Sequence, residues 1–202
     1  RTAISPRLAI RIFLSTSANV GGVTDPIGIA RRKPRSVGSW TVYEVAETGS
    51  TNSDLLELAT SGEAADHTVL RADHQTAGRG RRQRPWSSPA GHGVYASLVV
   101  RLEDPRRLQR LPLLSGIGLG RALERWLDRP CRLKWPNDLW IDRRKVGGVL
   151  VDAVSRGPAA IAVVGFGVNR SQPVDLLPPG ATSLGLGAAW LPSLRERGAG
   201  LV

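Results

Sequence analysis

Two stretches of this chain hold the residue types best suited to chemistry. The first is HQTAGRGRRQRPW, residues 74–86, which sets Gly78 and Gly80 among Arg79, Arg81, Arg82 and Arg84 and closes on Trp86. The two glycines let backbone N–H groups approach an anion closely. The guanidinium groups add planar, permanently charged donors that fit phosphate or carboxylate. Like charges at this density repel, and glycine raises the entropic cost of ordering. The stretch is therefore expected to be mobile when empty and to order on an anionic ligand. The same residues would serve an arginine-rich segment that folds on RNA, or a solvated basic loop, and the loop alone does not choose among the three.

The second stretch is KWPNDLWIDRRKVGGVLV, residues 134–151. Pro136 forces an extended or turning backbone at Trp135. Asn137 carries both a donor and an acceptor, which suits the edge of a base. Asp138 reads first as a turn cap and second as a carboxylate able to meet a metal ion. Lys145 stands at the mouth of a hairpin, before Gly147 and Gly148, whose missing side chains would let a ligand lie against the strand. A lysine there is ordinarily solvated, and it gains meaning only if a second anion-binding loop converges on it. A third fragment, GFGVN at 165–169, lacks the third glycine and the following helix of a dinucleotide fingerprint.

The elements that must position these residues follow from periodicity. WTVYEVAE, from Trp40, has the β-branched and aromatic content of a strand. Ser50, Thr51 and Asn52 are capable helix N-caps before a stripe of Leu55, Leu58 and Ala59, and Gly62 can end that helix. HTVLRAD reads as a strand. Val94, Ala96, Leu98, Val100 and Leu102 alternate along one strand face. Leu114, Ile117, Ala122, Leu123 and Trp126 suit the core side of a helix over about 111–127. CRLKW, then DLWI and VGGVLVDAV around a charged turn, and finally AAIAVVGFGV complete the strands. Strands cluster, with helices inserted at two places. That predicts an α+β fold, a mixed sheet with helices packed mainly on one face, rather than regular βαβ alternation.

Composition bounds the reading. A chain of 202 residues with 41% hydrophobic content can bury one substantial core. A single cysteine excludes an internal disulfide and favours a cytoplasmic setting; Cys131 is expected to be a buried thiol. Three histidines and that cysteine show no metal-ligand spacing. No run approaches the ~20 apolar residues that cross a membrane. The net charge of +11 suggests an anionic partner. Residues 1–36 hold seven basic residues against Asp25 alone and are expected to be disordered or non-native. The expected organisation is a functional domain over 37–187 and an irregular tail over 188–202.

GSTN at 49–52, the Arg-Gly stretch, the KWPND block with its lysine and glycine pair, GFGVN and ATSL at 181–184 occur in the order and approximate spacing of biotin protein ligases. The resemblance covers about Trp40 to Leu184. It implies the class II aminoacyl-tRNA synthetase-like catalytic domain of biotin and lipoate ligases. It implies ATP-dependent activation of biotin as biotinoyl-5′-adenylate, then transfer to a lysine of a biotin carboxyl carrier protein. No enzyme nucleophile is required, because the biotin carboxylate itself attacks the α-phosphate. By the same resemblance Ser50, Thr51, Asn52 and Gln75 would bind biotin, with Gly78, Arg79, Gly80, Arg81, Lys145 and Gly147 closing around it. Arg79, Arg81, Arg84, Trp86, Asn137, Lys145 and Asn169 would handle the nucleotide. Lys145, Arg79 and Arg81 would be the catalytic cations. Mg²⁺ would accompany ATP, with Asp138 as a weak ligand. A homodimer is a possible assembly, and residues 1–36 are too short and irregular for a winged-helix DNA-binding module.

Biotin protein ligases normally continue past ATSL into a further helix and a small β-barrel, and the unpatterned residues after Leu184 lead to the expectation that this barrel is missing here. The expectation is that biotin binding persists while ATP binding is weakened. The alternatives are an inactive remnant of the fold, a lipoate or octanoyl transferase relative, and a basic nucleic-acid-binding protein. Octanoyl transfer tends to use a cysteine, and Cys131 is poorly placed for it. A nucleic-acid surface needs several aromatic platforms beside the basic stretch, and only Trp86 adjoins it.

Overall fold

The computed structural model describes residues 33–185. Expectations for residues 1–32 and for the tail beyond 185 lie outside them. Eight strands form one sheet: β1 (Arg35–Val37), β2 (Trp40–Thr48), β3 (Thr68–Gln75), β4 (Gly93–Leu102), β5 (Arg132–Lys134), β6 (Asp138–Ile141), β7 (Arg144–Arg156) and β8 (Ala159–Asn169). Their spatial order is β1-β2-β3-β4-β8-β7-β6-β5. Helix α1 (Thr51–Ser61) joins β2 to β3, and helix α2 (Leu111–Leu127) joins β4 to β5. The β2–β3 pair is parallel and the others are antiparallel, so the sheet is mixed and the class is α+β.

The sheet is covered on both faces, and the alternation of its strands shows how. In β4, Val94, Ala96, Leu98 and Val100 face the large core that includes Leu119, Ala122 and Leu123 of α2. Val99, between two of them, faces the smaller core built with Leu55 and Ala59 of α1. In β8 the split recurs, with Ile161 and Val163 toward α1 and Ala162 and Val164 toward the α2 side. The two helices thus lie on opposite faces, whereas the sequence predicted them mainly on one. Strands buried on both sides read as continuous apolar runs, and such runs do not tell which face receives which helix.

Both helices end where local chemistry dictates. Gly62 takes the left-handed conformation after α1, at φ 91°, which costs glycine nothing. Helix α2 carries a proline in its first turn and ends at Asp128, whose N–H donates to the Glu124 carbonyl. Of the five residues predicted for the core side of α2, three reach the core, Trp126 as a partly buried neighbour, and two do not. Ala122 and Leu123 are buried, but Leu114 and Ile117 are 43% and 37% exposed. The face against the sheet is instead Ser115, Gly116, Gly118, Leu119 and Gly120. A Cβ at Gly116 would stand 2.7 Å from the Leu133 side chain. Close approach of helix to sheet, rather than side-chain bulk, selects the buried stripe.

β6 and β7 form the expected hairpin. Its two-residue turn, Asp142-Arg143, has φ of 47° and 62°, the positive pair that matches the twist of the flanking strands. β1, three residues paired with β2, begins at Arg35 inside the segment expected to be disordered.

Candidate active site

The α1 side of the sheet carries a cavity of about 700 Å³ between the start of α1, the Arg-Gly stretch and the β6–β7 hairpin. Its floor is polar and hydrogen-bonded. Ser50 occupies the N-cap position of α1 in an extended conformation, but its hydroxyl makes no cap bond. Gln75, at the end of β3, caps instead: its Oε1 accepts from the Thr51 N–H at 3.0 Å and lies 3.1 Å from Thr51 Oγ1. Ser97 Oγ donates to Asn52 Oδ1 at 2.7 Å and lies 2.8 Å from Thr51 Oγ1. Asn52 Nδ2 donates to Asp152 Oδ2 at 2.9 Å. Asn52 lies directly over Gly165 in β8, where a Cβ would collide with its amide.

Residues 78–86 form a flap, a narrow hairpin rather than an open loop. Arg79 bridges to Pro85. The Gly80 N–H donates to the Arg84 carbonyl at 2.7 Å, and the Trp86 N–H to the Gly78 carbonyl at 2.8 Å. Its tip turns through Arg82 and Gln83, both at positive φ. The Trp86 indole lies on Gly167 so closely that a Cβ there would come within 2.5 Å of Nε1. The four arginines do not act alike. Arg79 Nη2 reaches Ser53 Oγ at 2.7 Å and Asp152 Oδ2 at 3.3 Å. Arg81 Nη1 approaches Asn137 Oδ1 at 3.4 Å.

The hairpin supplies the opposing cation. Lys145 Nζ lies 2.8 Å from Asp138 Oδ1 and 5.3 Å from the centre of the Trp86 ring. Its backbone is fixed on both sides: the N–H donates to the Gly180 carbonyl at 2.9 Å, and the carbonyl accepts from Thr182 at 2.7 Å. The ATSL stretch therefore walls the cavity beside Lys145. Asn169 ties it down, with Nδ2 on the Thr182 carbonyl at 3.0 Å. Six cations line the cavity (Arg79, Arg81, Arg82, Arg84, Lys134 and Lys145) against the carboxylate of Asp138. Such a wall favours anions.

Every site residue predicted from sequence lines this cavity except Gly78 and Gly147. Those two glycines serve the backbone instead. A Cβ at Gly78 would meet the Trp86 carbonyl at 2.5 Å, and one at Gly147 the Gly167 carbonyl at 2.6 Å. Gly148 takes the lining position expected of its neighbour. The Asn137 amide, expected to read a base edge, is engaged at both ends: Nδ2 donates to the Val149 carbonyl at 2.8 Å while Oδ1 receives Arg81. Asn169 keeps only its Oδ1 for a ligand. Arg79 reaches under the floor.

Sequence reasoning missed Ser97, Asp152, Lys134, Trp140 and Gln172. Asp152 and Ser97 had a signal, a polar residue in an otherwise apolar strand. Lys134 lies over the Trp140 ring at 4.1 Å, a diagonal contact between β5 and β6. Trp86 Nε1, Trp140 Nε1 and Gln172 Oε1 are buried without a protein partner on residues of this wall. Such atoms are available to a ligand that enters the cavity.

Residues 45–169 match the model of the biotin/lipoate A/B protein ligase family. The chain belongs to that family. Among curated members, the bifunctional ligase/repressor BirA of Escherichia coli is 40% identical over 137 residues, 67% of this chain and 41% of that protein. The biotin–[acetyl-CoA-carboxylase] ligase of Mycobacterium tuberculosis is 38% identical over 145 residues, 69% of this chain and 53% of its own length. The chain thus spans about half the length of these relatives. Among solved structures, the biotin protein ligase of Aquifex aeolicus in complex with biotin and ATP superposes with a TM-score of 0.60 at 32% identity, covering 78% of this chain and 68% of that one. The Helicobacter pylori enzyme with bound biotinylated ATP gives 0.58 at 28% identity, over 78% and 72%. Among the described residues no helix is long and apolar enough to cross a membrane, and no three His, Cys, Asp or Glu side chains cluster to hold a metal ion.

Proposed function

We propose that this domain binds biotin and ATP in the cavity, forms biotinoyl-5′-adenylate, and passes the biotinoyl group to a lysine of a carrier protein. One observation carries the reading. Arg81 of the flap and Lys145 of the hairpin line one cavity and reach the adjacent residues Asn137 and Asp138. The barrier to joining a carboxylate to an α-phosphate is the approach of two anions. Fixed cations beside them lower it without a protein nucleophile, and a closed flap keeps water from the mixed anhydride. The carboxylate oxygen forms the new bond to phosphorus, and pyrophosphate leaves along the arginine-rich flap.

The family also includes lipoate ligases, and the floor favours biotin over an alkyl acid. Ser50, Thr51, Asn52 and Gln75 line the cavity with neutral hydroxyl and amide groups, the chemistry a ureido ring requires. Lys145 and Arg81 would take the carboxylate and α-phosphate. Trp86, Arg84 and the Asn169 Oδ1 would stand on the nucleotide side. Asp138 fits Mg²⁺ only as the single protein ligand beside nucleotide phosphates, the arrangement magnesium commonly adopts. There the ion would supply charge neutralisation of the phosphates, and Asp138 would keep its contact with Lys145. Calorimetric titration with biotin and with lipoate tests the substrate class. The reading expects saturable binding of biotin and at least ~100-fold weaker binding of lipoate, about 2.7 kcal/mol. Equal binding of both acids would refute the assignment of the floor.

A further inference from the structure

We propose that Asp152 is a positioning residue that latches the flap to the floor, so that flap closure and floor geometry are one linked event. The proposal takes the flap as the lid of the biotin site and rests on that reading only for its ligand measurements.

Asp152 lies mid-strand in β7 between Val151 and Ala153, half-buried on the α1 side of the sheet. Its Oδ2 receives two donors from two separate parts of the chain, Asn52 Nδ2 of α1 at 2.9 Å and Arg79 Nη2 of the flap at 3.3 Å. The bonds continue beyond Asn52. Ser97 Oγ donates to Asn52 Oδ1, Thr51 Oγ1 meets Ser97 and Gln75, and Gln75 Nε2 donates to Ser88 Oγ at 2.9 Å. Ser88 Oγ in turn reaches the Trp86 carbonyl at 3.3 Å. The chain of bonds starts at Arg79 and ends at Trp86, the two legs of the flap, and passes through Asp152, Asn52, Ser97, Thr51, Gln75 and Ser88 between them.

A proton count shows that this chain is adjustable. Ser97 has one hydroxyl proton, used on Asn52. Thr51 has one, and two acceptors within reach, Ser97 Oγ and Gln75 Oε1. One of these contacts lacks a proton at any moment. A ligand N–H or oxygen entering beside Thr51 resolves the shortage one way, and the change is felt at both ends of the flap. Arg79 is thereby assigned to the latch. Arg81, which points to Asn137, is left as the flap's cation for the reacting groups.

Trypsin provides the test, because Arg79, Arg81 and Arg82 put its cleavage sites in the flap itself, while Pro85 protects the bond after Arg84. Asp152→Asn keeps the size of the side chain and an oxygen for Asn52 but loses the charge on Arg79. In ligand-free protein it should speed cleavage within residues 79–84 about tenfold, equivalent to ~1.4 kcal/mol of opening, with cleavage elsewhere unchanged. Biotin dissociation should accelerate by a similar factor while association changes little. Placed on an Arg79→Gln background, Asp152→Asn should add less than about twofold, because the partner is already gone.

Flap cleavage and biotin release both within about twofold of wild type in Asp152→Asn would overturn the proposal. So would a full tenfold effect on the Arg79→Gln background, or cleavage that rises along the whole chain, since either makes Asp152 a support of the fold alone. Should the wild-type protein bind no biotin, the substrate reading falls. The ligand-free cleavage still decides the latch.

Discussion

Removing the Lys145 ammonium is the sharpest perturbation of the site. In Lys145→Ala two effects add. A charge-assisted contact to the reacting anions disappears, worth about 1.5–3 kcal/mol. The Asp138 carboxylate, 2.8 Å from Nζ in the native protein, is also left facing them without its counter-charge. Two unit charges about 5 Å apart at an effective dielectric near 20 repel by roughly 3 kcal/mol. Asp138 is 29% exposed, so screening cuts this by about half. Together the terms come to about 3–4 kcal/mol, or a ~10²–10³-fold loss of rate. The fold should survive, because residue 145 is held through its backbone by Gly180 and Thr182. The assay is biotin-dependent exchange of labelled pyrophosphate into ATP, with circular dichroism as the control on folding. The double variant Lys145→Ala/Asp138→Asn, which removes the stranded charge, should regain about tenfold over the single variant. Undiminished exchange in Lys145→Ala, or a double variant no faster than the single one, refutes this electrostatic reasoning.

Other substitutions probe the supports of the cavity. Gly167→Ala places a Cβ 2.5 Å from Trp86 Nε1, so the flap must lift; overpacking of about 1–3 kcal/mol should appear as at least about fivefold weaker biotin binding by calorimetry. Gln75→Leu strips the Thr51 N–H and Ser88 Oγ of their partner and should cost about 1–3 kcal/mol in urea unfolding. Burial, with the Glu124 carboxylate second, pushes the Cys131 thiol from its ordinary value of 9.0 up to about 11. Both states are protonated below pH 9. Between pH 9 and 11 the unfolded chain loses the proton and the native one keeps it, so stability falls by at most ~1.4 kcal/mol per pH unit. Cys131→Ala should flatten that alkaline limb of the stability profile and leave exchange within about twofold, as a thiol with no part in catalysis requires.

Some of this structure could be read in advance and some could not, for physical reasons. The alternation Val94 to Leu102 in β4 and the span of α2 were legible because period alone encodes them. The buried stripe of α2 was not, because Gly116 and its neighbours are selected by backbone proximity to Leu133, which a hydrophobic pattern does not express. The covering of opposite sheet faces was likewise hidden in strands apolar on both sides. In the site, the motif residues Gln75, Arg81 and Lys145 converge on one cavity as expected. Gly78 and Gly147 belong to the same motifs yet hold backbones close together. Asp152 lies 73 residues from Arg79. Its meaning exists only once β7, α1 and the flap are folded together, so its polar character was visible in the sequence while its partner was not.

In the proposed reaction a cationic flap and a hairpin lysine activate a biotin carboxylate with a nucleotide. Its most direct measurement is pyrophosphate–ATP exchange by the purified chain, with and without biotin and without any acceptor protein. Label is expected in ATP only with biotin, saturating as biotin is raised, and lost in Lys145→Ala. A folded, biotin-binding protein that exchanges no label, or exchanges it equally without biotin, contradicts that reaction.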